Sequence, residues 1–201
     1  MNIISLFPTS VGVFNLNREL TFAEEYFIFN LPKKANLENK SSVNSYVLKS
    51  EVLNNLQIFF KKSLDEYFEL VYNPSTDCSL NITQSWCNYT EYQQGHFAHT
   101  HDNSIVSGVF YVKTGESDKI NFMKNATHRH SLQINQKQAN FYNAESWWLP
   151  ATQYSLLLFP SNLSHEVPTV YTKEPRISMS FNTFYSGAIG SRENLTELIL
   201  P

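Results

Sequence analysis

From Leu80 onward the apolar residues of this chain fall into short runs, Ile105–Val112, Lys119–Met123, Ala139–Tyr142, Tyr154–Phe159 and Arg176–Phe184, separated by turn-rich segments. Several strands at such spacing, roughly eight in all, form a sandwich, a jelly roll or a barrel. The side chains suit that outcome: aromatics make up 14% of the chain and only 6 residues are glycine, so bulky groups are available to fill a β core.

The first part of the chain reads differently. Val11-Gly12-Val13-Phe14-Asn15-Leu16 predicts a strand at a sheet edge. Thr21-x-x-Glu24, followed by Tyr26, Phe27 and Phe29, is a capping box opening a short helix. A polar loop is expected to about Ser45. Ser50 is the expected cap of a longer helix, in which Leu53, Leu56, Phe60, Leu64, Tyr67 and Val71 recur at three- or four-residue steps until Asn73-Pro74-Ser75 ends it. We therefore expect one domain over residues 1–201, with a strand and supporting helices in 1–75 and a barrel core in 76–185.

Charge excludes some partners. Charged residues are 16% and the net charge is −3, which offers no basic surface for a phosphate backbone, so nucleic acid is not expected. No apolar run approaches the roughly 20 residues that span a bilayer, so no membrane partner is expected and a cytoplasmic location is. Cys78 and Cys87 lack the further ligands of a zinc site and read as structural. The strand near Val11–Leu16 can pair with another copy, which leaves a homodimer open.

Three histidines and an aspartate fall within His96-Phe97-Ala98-His99-Thr100-His101-Asp102. On a strand, residues two apart share a face, so His99 and His101 project together and make a natural metal pair. The apolar run Leu156–Phe159 reads as a buried strand whose following turn delivers His165 as a third ligand. Three facial ligands leave positions on iron(II) for a chelating cosubstrate and dioxygen. Eleven residues after His165 comes Arg176, which can grip a carboxylate with two parallel hydrogen bonds, and Ser178 shares its face. Together these two suit the distal carboxylate of 2-oxoglutarate.

The run His99-Thr-His101-Asp-Asn-Ser104-Ile-Val-Ser107-Gly108-Val109-Phe110-Tyr111-Val112, then Leu158-Phe159-Pro160-Ser161-Asn162-Leu163-x-His165, then Arg176-Ile177-Ser178-x-Ser180-Phe181-Asn182, resembles a small family of 2-oxoglutarate and iron(II)-dependent oxygenases of phages and marine bacteria, related to prolyl hydroxylases. Leu6-Phe7-Pro8-Thr9 is similar to that family's opening, whereas the Asn-rich loop and Thr114–Asn140 match poorly. The resemblance implies a mainly β fold with N-terminal helices, a double-stranded β-helix of the jelly-roll or cupin-like type. It also implies an iron site where 2-oxoglutarate is decarboxylated to succinate as dioxygen is activated, with hydroxylation of a bound substrate the usual outcome. In a phage-encoded protein the location is the host cytoplasm. One departure stands out: the wider superfamily commonly has His-x-Asp where this chain has His-x-His. Either His101 is a third neutral ligand, the favoured reading, or Asp102 reaches the metal.

Other residues have quieter readings. His96, His128 and His130 are expected to be solvated. Glu166 is expected to face away from His165's side. Asn88, Tyr92 and Tyr111 have polar tips that suit a cosubstrate or substrate, with ordinary packing as the alternative, and Trp86, Trp147 and Trp148 are expected mainly to fill the core. The substrate, a small molecule or a peptide, is expected to be shaped by loops at Asn125–Gln138 and Glu145–Pro150. Two alternatives to the 2-oxoglutarate enzyme are a three-histidine cupin-like dioxygenase that does without 2-oxoglutarate and a non-catalytic jelly-roll binding module.

Overall fold

The computed structural model describes residues 1–74, 77–124 and 134–201. Two antiparallel sheets face each other. The larger runs in the order β1 (Gly12–Asn15), β9 (Ser155–Pro160), β6 (Val106–Lys113), β11 (Arg176–Ile189), β4 (Cys78–Thr90), β3 (Asn39–Ser42) and β2 (Lys33–Asn36), with β12 (Leu198–Leu200) on the far end of β11. The smaller runs β5 (His96–His99), β10 (His165–Val167), β7 (Lys119–Met123) and β8 (Ser146–Pro150). This is a double-stranded β-helix, as expected.

Alternation within the central strands sorts their side chains between two cores. From β9, Leu156 and Leu158 join Phe110, Ile177, Met179 and Phe181 on one face of the larger sheet, where Leu56, Phe60 and Leu64 of α2 (Asn54–Tyr72) cover them. Leu157 and Phe159 point the other way and meet Val109, Tyr111, Ile120 and Phe122 between the sheets. The site lies on this second face, so the helices support the larger sheet from outside it.

The expected edge strand is present: β1 pairs with β9 alone. Thr21 caps α1 (Phe22–Asn30), with both halves of the capping box formed. Elsewhere the structure corrects the sequence reading. Ser50 makes no side-chain cap; a 3-10 turn at Glu51–Leu53 precedes α2, which ends on Asn73 in the left-handed conformation. The supposed polar loop holds the β2–β3 hairpin, which pairs with β4 through Lys40 and Ser41. Residues 140–143 form a turn instead of a strand, and the segment read as a loop at Glu145–Pro150 contains β8. Trp147 and Trp148 stand on that edge strand 37% and 55% exposed, so neither fills the core. Among the described residues no helix is long and apolar enough to cross a membrane.

Candidate metal centre

Antiparallel pairing of β5 with β10 sets His165 directly opposite His99. His101 lies two residues beyond the end of β5, where its backbone N–H donates to the Ser161 carbonyl at 2.9 Å. The hydrogen bond ties the loop carrying one histidine to the turn leading to another. The three rings converge, with centroids 4.4 to 5.2 Å apart, and one nitrogen from each lies within 4.8 Å of the others.

Hydrogen bonds set the tautomer of each ring. The Nδ1 of His99 lies 2.8 Å from the Phe97 carbonyl, that of His165 lies 3.0 Å from the Leu163 carbonyl, and that of His101 lies 2.6 Å from Oδ1 of Asn182. Oxygen acceptors of this kind require the proton on Nδ1, which leaves each Nε2 with a free lone pair. The Nε2 atoms of His99 and His101 are 3.2 Å apart, a separation that a shared cation accommodates. Burial, reinforced by the neighbouring histidines, lowers the pKa of His99 to about 4 and that of His165 to about 3, and burial lowers His101 as well. Three neutral imidazoles with converging lone pairs are a donor set for a divalent transition metal.

Asp102 is exposed and outside this group, whereas His101 lies within it. Glu166 accepts from Asn121 Nδ2 at 2.9 Å and is likewise outside it. His96 is closer to the site than its expected solvated role: it is half-buried, its ring is 4.2 Å from that of His99, and it borders the same cavity, with Nδ1 facing the Phe97 carbonyl. His128 and His130 lie outside the described residues, as does most of the Asn125–Gln138 loop.

The cavity, about 60 Å³ in volume, is lined by His99, His101 and His165 together with Asn88, Arg176 and Ser178. Arg176 is 2% exposed, and its Nε and Nη2 have no hydrogen-bond partner among the described residues. Tyr111 is fully buried behind it, with its ring centroid 5.2 Å from the guanidinium carbon and its hydroxyl unpartnered. Ser178 is buried on the same strand face, while Asn88 donates to Ser180 Oγ at 3.1 Å and leaves Oδ1 unpartnered. A buried cation with open donors is costly unless an anion meets it. Arg176 and the three histidines open onto the same cavity, so an anion meeting the guanidinium there shares the space with the histidine cluster. Tyr92 is 54% exposed and does not border this cavity.

Of two neighbours of His101, sequence reasoning took Trp86 mainly for core filling and did not single out Asn182. Trp86 packs against His101 with ring centroids 5.8 Å apart, and Asn182 holds the histidine's Nδ1. A signal for Asn182 was present: it is six residues after Arg176, on the same face of one strand.

A family model for 2OG-Fe(II) oxygenases matches residues 84–182, a span that contains the three histidines and Arg176. By sequence, no curated protein matches the chain. Among solved structures, HygX of Streptomyces hygroscopicus, with nickel and 2-oxoglutarate bound, superposes with a TM-score of 0.61 at 12% identity, over 87% of this chain and 82% of that one. A Trichoplax adhaerens prolyl hydroxylase, in complex with a hypoxia inducible factor peptide fragment, gives 0.58 at 12% identity, over 87% and 83%. SnoN, an alpha ketoglutarate-dependent epimerase from nogalamycin biosynthesis, gives 0.59 at 12% identity, over 91% and 82%. At such identities the likeness establishes the shared fold.

Proposed function

Because residues 84–182 match the model of the 2OG-Fe(II) oxygenase family, we propose that this protein is a non-haem iron(II) oxygenase that uses 2-oxoglutarate to hydroxylate a small molecule or a peptide. The observation that carries this reading is the buried, unpaired Arg176 opening onto the same cavity as three Nε2 lone pairs. Neither a three-histidine dioxygenase without 2-oxoglutarate nor a binding module gives that arginine a counterion.

In this reading His99, His101 and His165 hold iron(II) through Nε2. Arg176 and Tyr111 hold the distal carboxylate of 2-oxoglutarate, with Ser178 beside them. Asn88, whose Nδ2 donates to Ser180 Oγ, lines the same cavity and stands beside the cosubstrate. When bound, iron(II) with 2-oxoglutarate and dioxygen supplies an oxidant able to remove hydrogen from a carbon centre, with succinate and carbon dioxide released. Trp86 and Phe159 both line the cavity and would present apolar surface to the reacting region. The epimerase SnoN has the same fold, so analysis of the product distinguishes hydroxylation from another outcome of the same oxidant. We also take residues 1–201 as one domain, a reading supported by the continuous core that joins Leu20–Phe68 to the barrel strands.

Anaerobic titration with iron(II) and 2-oxoglutarate tests the assignment. The wild type should develop the weak visible charge-transfer band of the chelate, and His165→Ala and Arg176→Ala should each lose or weaken it. Iron binding without a band would remove 2-oxoglutarate from the proposal, and failure to bind iron would remove the enzyme.

A further inference from the structure

His99 and His165 are held alike. Each directs Nδ1 to the carbonyl two residues earlier in its own segment, Phe97 and Leu163 respectively, so their orientation is built into the local chain. His101 is held differently. It stands beyond the end of β5, and its Nδ1 partner is a side chain 81 residues away, Oδ1 of Asn182, at 2.6 Å. Without that acceptor a loop histidine is free to place its proton on either nitrogen and to turn about its ring axis.

Asn182 is well placed to supply the constraint. It follows Arg176, Ser178 and Ser180 on one face of β11, and the β4–β11 register shifts immediately after it. The next residue, Thr183, is fully buried and locks the strand to the loop that carries His101. Its Oγ1 bonds both the N–H and the carbonyl of Val106, its carbonyl accepts from Ile105 N–H, and its N–H donates to Ser104 Oγ. Ser104 is bonded in turn to Ser161, the residue whose carbonyl receives the His101 N–H. The amide therefore approaches the imidazole from a strand already fastened to the histidine's own loop.

We infer that Asn182 is a positioning residue: by accepting the Nδ1 proton of His101 it fixes the tautomer and direction in which that histidine presents Nε2 to the metal. The inference rests on the metal site proposed above. Second partners of this kind typically change metal affinity by about 10- to 100-fold when removed. A single strand thus carries the anion anchor at Arg176 and the orientation of a metal ligand at Asn182.

Anaerobic cobalt(II) titration of the purified protein, followed by ligand-field absorption without 2-oxoglutarate or turnover, tests this directly. Asn182→Ala should bind cobalt about 10- to 100-fold more weakly than the wild type. Asn182→Asp, which keeps an oxygen acceptor at the same reach, should restore most of that affinity, a rescue that a merely structural role would not produce. Equal affinity in Asn182→Ala, or equal loss in both variants, overturns the inference while leaving the metal site standing. No cobalt binding by the wild type overturns the site and the inference together. Should Asn182→Ala fail to fold, nitrogen-15 imidazole spectra of the metal-free wild type provide the decision: a proton on Nδ1 of His101 is expected, and a proton on its Nε2 overturns the inference.

Discussion

At Arg176, function and stability pull in opposite directions. A guanidinium that is 2% exposed, with two nitrogens unpartnered among the described residues, carries a desolvation cost that the Tyr111 ring 5.2 Å away offsets only in part. Arg176→Met keeps most of the volume and removes the charge. We expect it to abolish 2-oxoglutarate binding yet leave the ligand-free protein at least as stable, by about 1 kcal/mol or more where buried charge has been replaced by apolar volume. Parallel thermal melts and 2-oxoglutarate titrations decide; a marked drop in melting temperature would mean the arginine is satisfied in a way its open donors conceal. The histidines carry a second consequence. His99 and His165 have folded pKa values of about 4 and 3 against an ordinary 6.5, so between those limits the unfolded chain binds protons that the folded one refuses. Stability therefore rises with pH through that window and is lost as pH falls. Glu24, held below its ordinary 4.5 despite burial by its bonds to Arg18 and Thr21, adds acid sensitivity only lower down. Melting of the metal-free protein should thus begin to fall between pH 6.5 and 4.5, and His165→Gln should flatten that part of the profile.

Among the strands, β6 and β11 pair with Gly108 directly opposite Phe181. A methyl group at Gly108 would come within 2.2 Å of the Phe181 ring, which is itself stacked on Phe60 of α2 at 5.3 Å and has no room to retreat. Gly108→Ala should destabilise the protein by about 1–3 kcal/mol, the usual cost of an overfilled core. Calorimetry would show it; an unchanged melting temperature would mean that the sheet and α2 can separate without cost. The same strands show what the sequence disclosed about the elements. Leu156–Phe159 and Ile105–Val112 were legible because burial on both faces demands an unbroken apolar run, and α1 because its capping box is a local device. Lys33–Asn36 was not legible, since a polar hairpin owes its strand character to pairing with β4, whereas Ser146–Pro150 was misread because its tryptophans face outward on an edge. The histidines and Arg176 were legible from order and spacing. Asn182 was not singled out, because its significance arises only when the chain brings it to His101.

For the whole molecule, the candidate site joins β5, the loop after it, β10 and β11, elements separated widely in the chain. A ligand that needs all of them in place binds only the folded protein and shifts the unfolding equilibrium by mass action. At a concentration 100 times its dissociation constant, such a ligand adds about 2.7 kcal/mol. For a chain of this size each kcal/mol raises the melting temperature by about 2–4 °C, so a shift of roughly 5–11 °C is expected from the metal alone. A catalytically inert divalent ion such as nickel(II) makes the measurement possible in air. If Arg176 and Tyr111 hold only its far end and a histidine-bound ion the other, as proposed, 2-oxoglutarate should add a further increment that depends on the metal. Arg176→Met separates the two contributions: it should retain the rise caused by nickel and lose the increment caused by 2-oxoglutarate. A 2-oxoglutarate increment of equal size with and without nickel would place the cosubstrate away from the histidines, and an increment that survives Arg176→Met would place it away from the arginine.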